Sequence, residues 1–448
     1  MCCGSPTGRA VKSQFPLRRL HTSNSVRRRN VVSVSVADVS QTFDPQSRRV
    51  AVRPTVAGLR AVRSGDPWLF DGSIASADPT DLPAGSIAVI FDDRRVVGVG
   101  LWDPESPIRV KMLHSGGALA IEPRVWADRL TAALARRHGL VDDSSTTAWR
   151  WIHGENDDLP GLVLDRYEDT LVIKLYSGAW YPHLGDVIAA AQEVLPSQRI
   201  LLRCARRVSP PAGAPGDGDL LVGSQFEGTL TYLERGLTMS ADVRRGNKTG
   251  AFLDQRDNRM LVAAACHGAR VLDVFTATGG FALAAAAGGA RSVHLVDISQ
   301  PAIDVAKANI EQNRNIAAVR RCEIIARQGD AFDVMESLAA SGEQFDVVII
   351  DPPSFAQNEK SIPKALSSYR RLARAGLRLT VDGGLLVQAS CSSRVTIDDL
   401  GREMRIASRE VGRPFTELRR TGHPIDHPIG FSRGSYLKAL YAAVAASV

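Results

Sequence analysis

From about residue 246 onward, short apolar runs alternate with longer mixed stretches. RVLDVF, SVHLVD, CEIIAR, FDVVII and GGLLVQAS lack the polar alternation of a half-exposed strand and are too short for buried helices, so each reads as a strand covered on both faces. The first, Val271 to Phe275, runs into a tight turn, Thr276 to Gly280, and then into an alanine-rich helix. Strands alternating with helices predict an α/β fold with a doubly wound parallel sheet over residues 246–448.

The N-terminal half has a different rhythm. GDPWLFDGSI, LPAGSIAVIFDD and RRVVGVGLWDPESPIRVKML are short alternating strands separated by turn residues, which predicts a small β-barrel within residues 50–118. EPRVWADRLTAALARRHG then predicts a helix with Trp126, Leu130 and Leu134 on one face and Gly139 closing it. LPGLVLDRY, TLVIKLYSG and TLTYLERG return to strands, interrupted by the loop SPPAGAPGDGD, so residues 119–245 read as a linker helix and a central β-rich domain. No internal repeat is apparent.

Composition limits the rest. The chain has 448 residues, 44% of them hydrophobic, enough for two or three domains with their own cores. No run approaches the ~18 apolar residues of a membrane span, so no membrane association is expected. The net charge of +7 invites a nucleic-acid reading. Residues 1–37, however, hold seven Lys and Arg and no acid, and without them 48 basic residues face 48 acidic ones. Affinity for RNA must then come from local groups such as Arg244/Arg245/Lys248, Arg203/Arg206/Arg207 or Arg370/Arg371/Arg374. The acid-free start, rich in Ser, Val and Arg, has the composition of an organellar transit peptide within residues 1–45. RRRNVVSVSVA suits processing in a chloroplast, with the mitochondrion as the second address and a disordered basic tail as the plain alternative. The six cysteines form no CxxC pair, so no metal is expected. Cys2 and Cys3 leave with the leader, and Cys204, Cys266 and Cys322 read as small packed hydrophobes.

Cys391 is the exception, standing between two serines at the end of an apolar strand, where open α/β sheets place functional side chains. Asp351, followed by two prolines, ends the neighbouring run. Upstream, Gly279 and Gly280 let the backbone approach a ligand, and Asp297, 24 residues after Asp273, is placed to accept the hydroxyl protons of an adenosine ribose. Thr276 and Thr278 stand where a dinucleotide fingerprint would need glycine, which weakens a nicotinamide cofactor. Asp330 ends a third strand, where a carboxylate suits an adenine amino group.

KTGAFLDQRDNR (248–259), DVFTATGGF (273–281), DPPSF (351–355), SCS (390–392) and HGENDDLPGLVLDRY (153–167) together resemble the bacterial large-subunit ribosomal RNA cytosine-5 methyltransferase family. GDPWLFDGSI and GVGLWDPESPIR resemble that family's PUA domain, and the likeness spans roughly residues 50–446. It implies a PUA-like barrel, a central β-rich α+β domain and a Rossmann-like S-adenosylmethionine domain. It implies large-subunit rRNA as substrate, and a homodimer is a further expectation. The implied catalytic residues are Cys391 and Asp351. The implied cofactor contacts are Asp254, Gln255, Asp273, Phe275, Thr276, Thr278, Gly279, Asp297, Ile298, Asp330 and Ala331, and the implied RNA contacts are Lys248, Arg256 and Phe355. Asp254 could instead simply cap a helix, and Phe355 reads equally as core. Ala277 and Ala389 depart from the family pattern toward smaller side chains.

The chemistry also follows from the residues. Carbon 5 of cytosine is a poor nucleophile until a thiolate adds to carbon 6, a task for Cys391 with Asp351 on the pyrimidine edge. Guanine-nitrogen methyltransferases share DPP with an aromatic but need no thiol. Uracil-5 methyltransferases typically carry DPPR and SCNP, whereas DPPSF and SCSSR stand here. A non-catalytic RNA-binding assembly factor would need neither group.

Overall fold

The computed structural model describes residues 48–446 except residue 357, so the expected leader with Cys2 and Cys3 lies outside the described residues. Strands Arg49–Pro54, Trp68–Phe70, Ile74–Asp78, Ile87–Asp92, Arg95–Trp102 and Ile108–Ser115 (β1 to β6) form one sheet in the order β2-β6-β5-β4-β1-β3. Val50, Val52, Ile90, Trp102 and Val110 fill its core. Strands Ala148–His153, Leu162–Tyr167, Thr170–Leu175, Arg199–Cys204 and Leu220–Val222 (β7 to β11) form a second sheet, and Leu230–Glu234 with Leu237–Ala241 (β12, β13) a hairpin.

Two local expectations fail in this central part. The helix expected to close at Gly139 stops at Arg136, and a short helical turn, His138–Val141, carries the chain through the glycine because Leu140 is buried in the same core. The segment read only as strands also contains the helix Leu184–Val194, which buries Val187, Ile188, Ala190 and Ala191. It connects β9 to β10, which pair in parallel, and a parallel pair requires such a crossover.

The C-terminal sheet contains Arg270–Val274, Ser292–Asp297, Glu323–Gln328, Phe345–Ile350, Thr380–Ser390, Phe415–Thr421 and Lys438–Val444 (β14 to β20), in the order β16-β15-β14-β17-β18-β20-β19. The first five run parallel and β20 is antiparallel to both its neighbours. Successive residues face opposite sides of a strand. Val271, Val347, Ile349 and Val387 therefore meet the alanine helix Gly280–Ala287 on one face, while Leu272, Val348, Ile350 and Leu386 meet Tyr369, Leu372 and Ala373 of the helix Ile362–Leu379 on the other. Double burial explains the near-continuous apolar runs. Strand order reverses between β14 and β17, which opens a crevice at their carboxyl ends. Among the described residues, no helix is long and apolar enough to cross a membrane.

Candidate active site

The crevice is built first from backbone. After β14, Phe275 and Ala277 take positive φ angles of 64° and 49°, and Gly279 follows at 78°. Non-glycine residues reach this region only when surrounding contacts hold them there. Here Asp297 at the end of β15 accepts the Ala277 N–H at 2.9 Å through Oδ2 and the Ser299 N–H at 2.9 Å through Oδ1. Asp273 accepts the Thr276 hydroxyl at 2.6 Å and the Ala282 N–H at 3.1 Å through Oδ2. Asn309 donates to the Thr278 carbonyl at 2.9 Å. A Cβ on Gly279 would lie 2.6 Å from the Ala306 Cβ. Gly279→Val should therefore deform this turn and weaken S-adenosylmethionine binding about ten-fold or more in calorimetric titration; unchanged affinity would show that the turn does not shape the cofactor site.

Cofactor fit rests on what these groups leave unused. Asp273 Oδ1 and Asp254 Oδ1 are buried with no partner. Burial, with Asp351 and Asp297 nearby, pushes the Asp273 carboxyl up to about 7. Ile298, 69% exposed directly after Asp297, offers a bare apolar surface where an adenine would lie. Asp330 is exposed at the end of β16, with Oδ1 capping the helix Ala331–Ala340 through the Phe332 N–H, and Ala331 is buried behind it. The residues suit an adenosine flanked by carboxylates. Asp273, Phe275, Thr276, Thr278, Gly279, Asp297, Ile298, Asp330 and Ala331 thus gather along the carboxyl ends of three adjacent strands.

The expected catalytic pair lies beside this cradle. β17 and β18 pair in parallel, Ile350 opposite Gln388, so Asp351 and Cys391 emerge at the same sheet edge. Cys391 Sγ lies 3.8 Å from the Pro352 carbonyl oxygen. Burial first, then Asp351, pushes the thiol up to about 11, while Lys248 pulls the other way. Burial first and Asp254 second push Asp351 up to about 6, opposed by Lys248 and by a hydrogen bond with Gln255. Asp254 does not act as a plain helix cap. Its Oδ2 accepts from the Lys248 ammonium and, at 2.9 Å, from the Tyr436 hydroxyl. Burial alone would raise its carboxyl, but Lys248 and His427 hold it well below the usual carboxylate range.

The expected RNA contacts fare unevenly. Lys248, at φ 56°, lies over the Phe252 ring and points to Asp254. Phe355 is half-buried, packing edge-on to Tyr369 at 5.3 Å and tilted against Phe332 at 6.5 Å. Arg256 must be corrected: it is 1% exposed and makes a two-pronged ion pair with Asp426, at 2.8 and 3.1 Å, so it faces no RNA. Of the basic groups, Arg203 pairs with Asp217, and Arg370, Arg371 and Arg374 pair with Glu403, Glu336 and Glu410. Arg206 and Arg207 remain exposed.

The motif HGENDDLPGLVLDRY works mainly through buried charge. Its Asp157 accepts from Arg137 and the His153 N–H, and its Asp165 pairs with Arg150 at 2.7 and 2.8 Å and accepts the Thr249 hydroxyl. Asp426 closes the network, taking the Arg150 N–H at 3.0 Å besides Arg256. β7 and β8 are thus bound to the loop that carries Asp254 and to the segment before β20. Sequence reasoning missed Asp426, Tyr436 and Lys438. Only Lys438 carried a signal, as a cation opening the otherwise apolar strand KALYAAV.

Sheet order, crevice and carboxylate-lined turn define an S-adenosylmethionine-dependent methyltransferase, and that family matches residues 196–428, with a PUA-like domain over residues 56–115. A ribosomal RNA large subunit methyltransferase of Deinococcus radiodurans is 38% identical over 88% of this chain and 97% of its own. Ribosomal RNA large subunit methyltransferase I of Alteromonas mediterranea is 32% identical over 86% and 96%. The chain belongs to this large-subunit ribosomal RNA methyltransferase family. In fold it also matches a candidate SAM-dependent methyltransferase from Streptococcus mutans, with a TM-score of 0.74 at 21% identity over 88% of this chain and 99% of that one.

Proposed function

We propose that the protein methylates carbon 5 of a cytosine in large-subunit ribosomal RNA through a transient bond between Cys391 and carbon 6. The observation that carries this reading is the parallel register of β17 and β18, which brings a thiol and a carboxylate out side by side at the cofactor crevice. Identity of 30% or more to large-subunit rRNA methyltransferases along nearly their whole length supports the substrate class. The arginine-rich, acid-free start supports an organellar ribosome, that of the chloroplast first, as the source of that RNA.

Asp254, Gln255, Asp273, Asp297 and Ile298 would hold S-adenosylmethionine, which supplies an electrophilic methyl group on sulfur when bound. Cys391 gives its proton to solvent and adds as the thiolate to carbon 6, breaking the carbon 5–carbon 6 π bond, whose electrons make carbon 5 nucleophilic. Asp351 hydrogen-bonds the pyrimidine edge and so steadies charge that develops on the ring. Once carbon 5 carries the methyl group, loss of its remaining proton to a base restores the ring double bond and expels the thiolate. Reaching the ring in this way requires a splayed nucleotide.

Recombinant protein incubated with large-subunit rRNA and S-adenosylmethionine should yield 5-methylcytosine as the new nucleoside on mass spectrometry. A methylated guanine or 5-methyluridine instead would overturn the cytosine reading, and absence of any methyl transfer to large-subunit rRNA would overturn the substrate.

A further inference from the structure

The turn that follows the nucleophile is held from an unexpected side. β20 pairs antiparallel with β18, placing Lys438 opposite Ser390, one residue before Cys391. The Lys438 side chain crosses beneath the turn, where its ammonium donates to the carbonyl oxygens of Ser392 and, at 2.6 Å, Val395. The residue is 6% exposed. Neighbouring contacts fix the same turn: the Ser390 hydroxyl bonds the Tyr369 hydroxyl at 2.9 Å and the Ser392 hydroxyl donates to the Ala356 carbonyl at 3.4 Å.

A buried ammonium is a costly way to bridge two carbonyls, since a neutral amide or hydroxyl can donate without being stripped of the hydration of a full charge. A cation at this point has a second effect, because the thiol beside it must become an anion to react. We propose that Lys438 is a positioning residue for Cys391, fixing the turn after the nucleophile and lending the positive field in which the thiolate forms. This rests on Cys391 being the nucleophile. Burial brings the Lys438 ammonium down to about 8, against the pull of Cys391 and Asp399, so it is charged at neutral pH. His423 also faces it. The thiol itself faces Asp351 and Asp254, which oppose its ionisation, and Lys248, which favours it, while Cys391 in turn raises the Lys438 ammonium.

The test is alkylation of Cys391 by iodoacetamide in the full chain, followed on the Cys391 peptide by mass spectrometry. At pH 7 Lys438→Met should react about ten-fold more slowly than the wild type, as expected for about one unit of thiol pKa. That gap should narrow to within about two-fold by pH 9.5, where the wild-type lysine has lost its own proton. Lys438→Arg, which stays charged, should keep its lead over Lys438→Met at both pH values. A strut with no electrostatic role would give the opposite sign, because its removal loosens the turn and speeds alkylation at every pH. A Lys438→Met rate at pH 7 equal to or above that of the wild type overturns the proposal. Should Lys438→Met fail to fold, judged by loss of S-adenosylmethionine binding, Lys438→Gln keeps a donor without the charge and is held to the same expectation. Alkylation needs no RNA. A wild-type protein with this pH signature that traps no 5-fluorocytosine RNA therefore sinks the cytosine reading alone, whereas trapping without the signature sinks only the role of Lys438.

Discussion

Cys391→Ala should bind S-adenosylmethionine as the wild type does, form no covalent adduct with 5-fluorocytosine RNA, and transfer methyl groups on the order of 10⁴-fold more slowly. The separation of binding from chemistry follows from the sheet. The cofactor cradle is made by residues at the carboxyl ends of β14, β15 and β16, with Asp254 and Gln255 ahead of β14, whereas the thiol stands at the end of β18, beyond β17. Removing one sulfur leaves Asp273, Asp297 and Ile298 where they are. Adduct trapping resolved on a denaturing gel, with titration calorimetry for the cofactor, checks both halves. If the alanine variant still traps RNA, the nucleophile lies elsewhere; if it loses the cofactor, the cradle reaches further along the sheet than the geometry allows.

Asp426→Ala should be the most damaging single change to the fold. Asp426 is fully buried and receives both prongs of Arg256 and the Arg150 N–H. Its loss leaves the buried Arg256 guanidinium with only a looser contact to the half-exposed Asp257, at 3.6 Å, and breaking a buried pair costs about 3–5 kcal/mol. The double change Arg256→Met with Asp426→Leu should recover most of that, since apolar residues can replace a buried pair at little cost. Burial alone would raise the Asp426 carboxyl, but His427 and Arg256 hold it well below the usual range. A carboxyl lowered on folding stabilises fully above its unfolded pKa of about 4, and loses that contribution only as pH falls toward the folded value. The gap in urea midpoint between wild type and Asp426→Asn should therefore be constant from pH 8 to pH 5 and shrink in stronger acid. An unchanged midpoint for Asp426→Ala would mean that this network does not secure the central sheet to the catalytic one.

The elements most legible in the sequence were those under the strongest local constraint. A parallel strand buried on both faces is written as a continuous apolar run, and β14, β15, β17 and β18 were readable for that reason. The turn after β14 announced itself through its glycines and flanking carboxylates. Arg256 misled because an arginine inside a motif rich in charge looks solvent-facing until its partner is known, and that partner, Asp426, is 170 residues away. Tyr436 was hidden in the same way, and Lys438, though visible as a cation opening an apolar strand, gave no sign of its partners. Both reach the site from the antiparallel end of the sheet, whose pairing partner no local pattern specifies. The helix Leu184–Val194 was missed because its apolar spacing lies among strands, and only the parallel pairing of β9 with β10 demands it.

Register between β17 and β18, and not the connection that joins them, sets how far Asp351 stands from Cys391. Insertions where the chain leaves β17 and approaches the helix Ile362–Leu379 would leave that spacing untouched. Evolution can therefore remodel what the protein grips near the crevice while Asp351 and Cys391 stay in step, so diverging lineages should differ in length there and keep both strands intact.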